Sequence, residues 1–154
     1  MKLVKADKSD LETILQMQIK AFMPMLEKYR DYETSPANEK YEDILFRFNQ
    51  PQTTYYFIEV DSQKVGVIRI VDFKDESTRK RISPIFIMSE YRNKGYAQQA
   101  IAEAERLHGA ENWSLDTILQ EEGNCYLYEK LGYHQTGKTE IINDKMMIVF
   151  YEKD

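Results

Sequence analysis

Along the chain, stretches whose apolar residues alternate every second position give way to stretches where they recur every three to four. Each change of period predicts a change of element. Lys2–Ala6 predicts a short opening strand. Ser9-Asp10-Leu11-Glu12 has the spacing of a capping box, in which a hydroxyl and a carboxylate satisfy free backbone N–H groups. Leu11, Ile14, Leu15 and Phe22 fall near one face of the helix that follows. Pro24 lacks an N–H and crowds the residue before it, so the helix is expected to end or kink at Met23. Met25 to Asn38, with Tyr29, Tyr32, Pro36 and mixed charge, predicts an irregular connection. Tyr41, Ile44, Leu45 and Phe48 repeat at i, i+3, i+4 and i+7, which predicts a second helix over Glu39–Phe48.

Two strands, Thr53–Val60 and Lys64–Phe73, follow as a hairpin about Asp61-Ser62-Gln63. The apolar run Arg81–Met88 predicts a central strand. Pro84 within it cannot donate to a ladder and predicts a bulge that leaves neighbouring backbone groups open to a ligand. After Gly95 the period is helical again, with Ala97, Ala100, Ile101, Ala104, Leu107 and His108 in one stripe. Trp113–Leu119 predicts a strand, and Asn124–Leu131 a short helix closed by Gly132. Tyr133–Ile142 and Lys145–Tyr151 close the chain as a hairpin about Asn143-Asp144. No internal repeat or linker interrupts this order, so the 154 residues read as one mixed α/β domain.

Composition narrows the chemistry. Lys and Arg number 21 against 26 Asp and Glu, a net charge of −5, which argues against nucleic-acid binding because phosphate neutralisation needs clustered cations. A single cysteine, Cys125, excludes an internal disulfide framework, and two histidines leave little for a metal site. The first residues carry no continuous apolar run and no stretch approaches the roughly 20 apolar residues of a membrane span. A reducing cytoplasm, without membrane contact, is the expected setting.

Arg92-Asn93-Lys94-Gly95-Tyr96-Ala97 sits between a buried strand and an amphipathic helix. A helix N-terminus offers unpaired N–H groups and a positive dipole end, Gly95 permits close approach, and Arg92 and Lys94 add charge. The stretch suits a pyrophosphate, yet neither the P-loop nor the dinucleotide fingerprint is present.

Ile85 to Ala97 resembles the acyl-CoA-binding motif of the GNAT acetyltransferases, Q/R-x-x-G-x-G/A after a central strand. Asn124-Cys125-Tyr126-Leu127-Tyr128-Glu129-Lys130-Leu131-Gly132-Tyr133 resembles that family's second motif. Ala97 replaces the third glycine, and Ser89 stands where proline is common. The resemblance implies a mostly antiparallel twisted sheet of six to seven strands flanked by four helices and splayed at the strand ending near Met88. It implies an acetyl-CoA-dependent N-acetyltransferase acting on a primary amine of a small molecule or peptide, with no metal. A non-catalytic acyl-CoA-binding or sensing module is the alternative. Family members often dimerise, and no interface is legible here.

By the same resemblance, Ile85, Phe86 and Ile87 would meet the pantetheine arm. Arg92, Asn93, Lys94, Gly95, Tyr96 and Ala97 would hold the pyrophosphate with help from Gln98. Asn124 would contact pantetheine near the thioester, and Tyr128 would be the general acid that protonates the departing thiolate. Asn124 and Tyr128, at i and i+4, share a helix face. A backbone N–H near Ile87 would face the oxyanion. No base is evident; Glu121 and Glu122 follow a strand near the expected cleft, and a solvated acidic loop explains each of them better than a base does. Arg79-Lys80-Arg81 is a candidate for a CoA phosphate, and Met23, Met25, Tyr29 and Tyr32 for an acceptor pocket. Cys125 and His108 read as packing residues. The acids Asp116, Glu121 and Glu122 suggest a cationic acceptor.

Overall fold

A computed structural model describes residues 1–154. Seven strands form one sheet in the order β1-β2-β3-β4-β5-β7-β6, where β1 is Lys2–Lys5, β2 Thr53–Val60, β3 Gln63–Val71, β4 Lys80–Ile87, β5 Trp113–Ile118, β6 His134–Asn143 and β7 Met146–Lys153. Four helices flank it: α1 (Leu11–Tyr29), α2 (Tyr41–Phe48), α3 (Tyr96–His108) and α4 (Glu122–Lys130). All pairings are antiparallel except β4 with β5. The fold class read from the sequence is the fold observed.

Both faces of the sheet are covered, because successive side chains along each strand point to opposite sides. Leu11, Ile14, Leu15 and Ala21 of α1 and Ile44 of α2 pack with Tyr55, Phe57, Val67 and Phe86 on one face. Ala100, Ile101 and Ala104 of α3 and Cys125 and Tyr128 of α4 pack with Ile68, Ile70, Trp113 and Tyr151 on the other. No helix is long and apolar enough to cross a membrane.

Several local expectations need correction. The capping box belongs to Asp7 and Asp10, which cap a single 3-10 turn before α1; Asp7 accepts from Ser9 N–H and Asp10 from Asp7 N–H. Pro24 does not end α1, which runs five residues further to Tyr29 and is closed by Arg30 in the left-handed region. An interior proline disfavours a helix by about 3 kcal/mol. Here that cost is offset by contacts the extra turn makes: Leu26 and Tyr29 are buried, and Arg30 N–H donates to Leu26 C=O. Leu107 is 47% exposed, so the apolar stripe of α3 ends at Ala104. The Asp61-Ser62 turn has positive φ at both residues, the twist that a two-residue hairpin requires.

Candidate active site

Two features of β4 open the sheet. Ile85 pairs with Ile68 and Ile82 with Ile70, so Arg69 alone opposes Ser83 and Pro84. The bulge expected at Pro84 is therefore present. Beyond it, β4 and β5 pair only at Lys80–Trp113 and Arg81–Ser114 and then separate. The edge of β4 facing β5 is left without a strand partner from Ile82 to Ile87. Backbone groups there need another partner, because an unpaired buried N–H or C=O is costly.

At the far end of β4, a 3-10 turn at Ser89–Tyr91 leads through Asn93 (φ 63°) and Gly95 (φ 81°) into α3. Gln99 N–H makes the first helical bond, to Gly95 C=O at 3.1 Å. The N–H groups of Tyr96, Ala97 and Gln98 have no backbone acceptor, the arrangement that attracts anions. Arg92 contributes less charge than its sequence position suggested. Its guanidinium donates to the C=O of Ile87 (3.0 Å) and Ala21 (3.4 Å), pinning the turn to β4 and α1.

A 380 Å³ cavity joins these parts. Ile85, Phe86, Ile87, Arg92, Asn93, Gly95, Tyr96, Ala97, Gln98, Asn124 and Tyr128 all line it, and of the residues given a role by the two motifs only Lys94 does not. Ala21, Phe22 and Met25 of α1 complete the wall. Sequence reasoning missed Ala21 and Phe22, because helical period alone does not show which residues of α1 will border the cleft.

A second cavity of 550 Å³ lies on the other side of the splay, walled by α1, the loop after it, β4, β5 and the β6–β7 hairpin. Five residues line both cavities: Phe22, Met25, Ile85, Asn124 and Tyr128. They mark the joint between the two. Asn124 and Tyr128 share a face of α4, and the Asn124 side chain makes no hydrogen bond within the protein. Tyr128 is buried, with Tyr133 and Tyr151 rings at 6.3 and 6.1 Å. Burial pushes its phenol well above the usual value, and the Asp116 carboxylate adds to the effect. Tyr128 therefore carries its proton throughout the physiological range.

Glu121 lines the first cavity, but its carboxylate accepts from Tyr29 Oη and from Lys28 Nζ, the latter at 2.9 Å. Burial alone would raise its pKa; those two donors hold it below the usual range, the opposite of a poised base. Glu122 is exposed in the first turn of α4. Met25 and Tyr29 do line the second cavity, whereas Tyr32 points to solvent at 59% exposure and Met23 lines neither.

Arg79, Lys80 and Arg81 do not reach the amide cradle. They open β4, whose length at about 3.3 Å per residue puts them some 20 Å from its other end. Arg79 pairs with Asp154, Lys80 sits 5.3 Å from the Trp113 ring, and Arg81 pairs with Asp116 at 2.7 Å in the second cavity. His108 lies between Tyr56 Oη and Asp72, both at 2.9 Å, away from either cavity wall. Cys125 is buried with its thiol toward the Ile118 and Leu119 carbonyls. No three His, Cys, Asp or Glu side chains are grouped to hold a metal ion.

Known structures share this architecture. Spermidine N-acetyltransferase from Vibrio cholerae, in complex with CoA and spermine, superposes with a TM-score of 0.73 at 14% identity over 97% of this chain and 92% of that one. PaiA N-acetyltransferase from Thermoplasma acidophilum, in complex with coenzyme A, gives 0.70 at 16% over 99% and 98%. A GNAT-family acetyltransferase from Streptococcus agalactiae gives 0.75 at 14% over 99% and 95%. These identities speak to the fold alone. No curated protein matches the sequence. The sequence profile described as "Acetyltransferase (GNAT) family" matches residues 20–133, a span that includes both the amide cradle and the Asn124–Tyr128 face. This chain belongs to the GNAT acetyltransferase family.

Proposed function

We propose that the protein transfers an acetyl group from acetyl-CoA directly to a primary amine of a small molecule, with Tyr128 as the general acid. The reading rests above all on two cavities that meet at Tyr128 and Asn124. The first cavity suits the acyl donor. Its unpaired Tyr96, Ala97 and Gln98 amides suit an anion, and the open β4 edge offers pantetheine amides a strand-like partner from Ile85 to Ile87. The second cavity takes the amine, and 550 Å³ is a small-molecule volume.

Transfer forms a C–N bond at the acyl carbon and breaks the C–S bond, leaving a thiolate and an acylated nitrogen that sheds its extra proton to water. Tyr128 meets that charge at the joint. An ordinary thiol titrates near 8.5 and a phenol near 10, and burial raises Tyr128 further. Its Oη–H is therefore first a hydrogen-bond donor to the sulfur and only then a proton donor. The unattached Asn124 amide stands beside it for the thioester end. Glu121 stays paired with Lys28 and Tyr29 and serves to tie α1 to the start of α4.

Calorimetric titration with acetyl-CoA, followed by a thiol-release assay across an amine panel, tests this reading. Binding in the micromolar range with amine-dependent CoA release is expected. Absence of binding at sub-millimolar acetyl-CoA overturns it. Binding without CoA release from any amine favours a sensing module instead.

A further inference from the structure

The second cavity carries charge of both signs, and the balance at one end is uneven. Asp31, Asp116 and Glu140 line it together with Arg81 and Lys138. Just behind the wall, on the same face of the sheet as Arg81, lies Arg69. Its Nε donates to the C=O of Ser83, which lines the cavity, and its Nη1 reaches Thr53 Oγ1 at 3.4 Å. Arg47 is matched by Glu39, and Arg81 by Asp116. Arg69 has no carboxylate partner, and burial together with Arg47 and Arg81 disfavours its charge. Three guanidiniums thus share two carboxylates where β3 and β4 meet the cavity. Lys138, exposed on β6, lines the same cavity and rests 4.5 Å from the Phe150 ring. A partly buried cation without a counter-charge costs free energy unless an anion arrives to meet it.

The reacting end has a different character. Phe22, Met25, Ile85, Asn124 and Tyr128 carry no charge at the joint, as a neutral attacking amine requires. Asp31, buried and held only by the N–H groups of Glu33 and Thr34 and the Thr34 hydroxyl, supplies negative potential on the α1 side. From Ile85 to Arg81 is four residues of strand, at most about 13 Å and shorter across the bulge.

Resting on the acetyltransferase reading, we infer that the acceptor is an amine that also bears a carboxylate, an amino acid or a short peptide in size. Its carboxylate meets the Arg81 guanidinium, which Asp116 engages through one nitrogen only, with Arg69 behind the wall, while its amine reaches the Tyr128 joint. A purely cationic polyamine that reached this end would set its second charge toward the uncompensated Arg69. This revises the cationic acceptor that the acidic residues of the sequence suggested, since Asp116 is neutralised by Arg81 and Glu121 by Lys28.

The test compares L-amino acids with their carboxamides, their decarboxylated amines and spermidine, with CoA release as the readout. At least one free acid is expected to exceed its own amide, its own amine and spermidine by tenfold or more in kcat/KM. Arg81→Gln is expected to shrink the acid-over-amide advantage below twofold, through KM, with the melting temperature confirming the fold. Arg69→Lys, which keeps the charge, retains most of that advantage. An amide, amine or spermidine that matches the acids overturns the inference. So does an absence of acid turnover while acetyl-CoA binds, or an Arg81→Gln effect equal on acid and amide. Failure to bind acetyl-CoA at all instead removes the acetyltransferase reading beneath it.

Discussion

At the scale of single residues, burial decides more than residue type. The chain has 11 tyrosines, and nothing in composition separates Tyr128 from the rest. Resemblance to the second GNAT motif made it the candidate acid, and the structure adds the buried setting that keeps its proton. Tyr128→Phe should lower kcat by about 10²-fold while leaving acetyl-CoA affinity within about threefold by calorimetry. A much larger loss of affinity would reduce the residue to a binding role. The Asp72–His108 pair gives a second prediction. Burial would raise the Asp72 carboxyl, but His108 and the Lys74 N–H hold it below its usual value. A depressed folded pKa contributes stability above the unfolded value of about 3.9, lost as pH falls through the folded value. Asp72→Asn should therefore cost about 1 kcal/mol near pH 7, after allowance for solvent screening. Urea denaturation should show that difference shrinking below about pH 4. A constant difference across pH would assign the effect to packing.

The individual elements were legible where a strong period or a turn signal marked them, and less so where tertiary contacts overrode a local preference. The hairpins, the Pro84 bulge and the Gly95 start of α3 followed from local chemistry. Pro24 misled because a helix-breaking residue was outweighed by burial of Leu26 and Tyr29. Pro24→Ala should restore a donor to α1 and raise stability by about 1–3 kcal/mol. On a chain this size that is several degrees in melting temperature, and an unchanged melt would mean that contacts of the Pro24 ring offset the missing hydrogen bond. Gly66 had no visible signal at all. A methyl there would stand 2.2 Å from the Phe86 carbonyl oxygen and 3.1 Å from Ile87 Cα, both backbone atoms of the strand that lines the donor cavity. Gly66→Ala should cost about 1–3 kcal/mol and raise KM for acetyl-CoA as Phe86 and Ile87 move. A variant with wild-type stability and KM would show that β4 gives way freely.

For the whole molecule, the site is a property of the sheet rather than of any segment. Acetyl-CoA at one hundred times its dissociation constant should stabilise the folded state by about 2.7 kcal/mol, some 5–10 °C in a thermal melt. The shift should follow ligand concentration, and a melt indifferent to acetyl-CoA would contradict the donor cavity. The amino-acid sequence by itself determined the order of elements, the strand-to-helix turn at Arg92–Ala97 and the Asn124–Tyr128 face. Those features depend on period, glycine and helix spacing, which act over a few neighbouring residues. Only the tertiary structure decided that β4 parts from β5 after Arg81, that α1 walls both cavities, and that Arg79–Arg81 lie far from the amide cradle. It also decided which charges cancel, leaving Glu121 closed off by Lys28 and Arg69 without a counter-charge. Ion pairs and cavity walls join residues tens of positions apart, and their distances arise only when the sheet assembles.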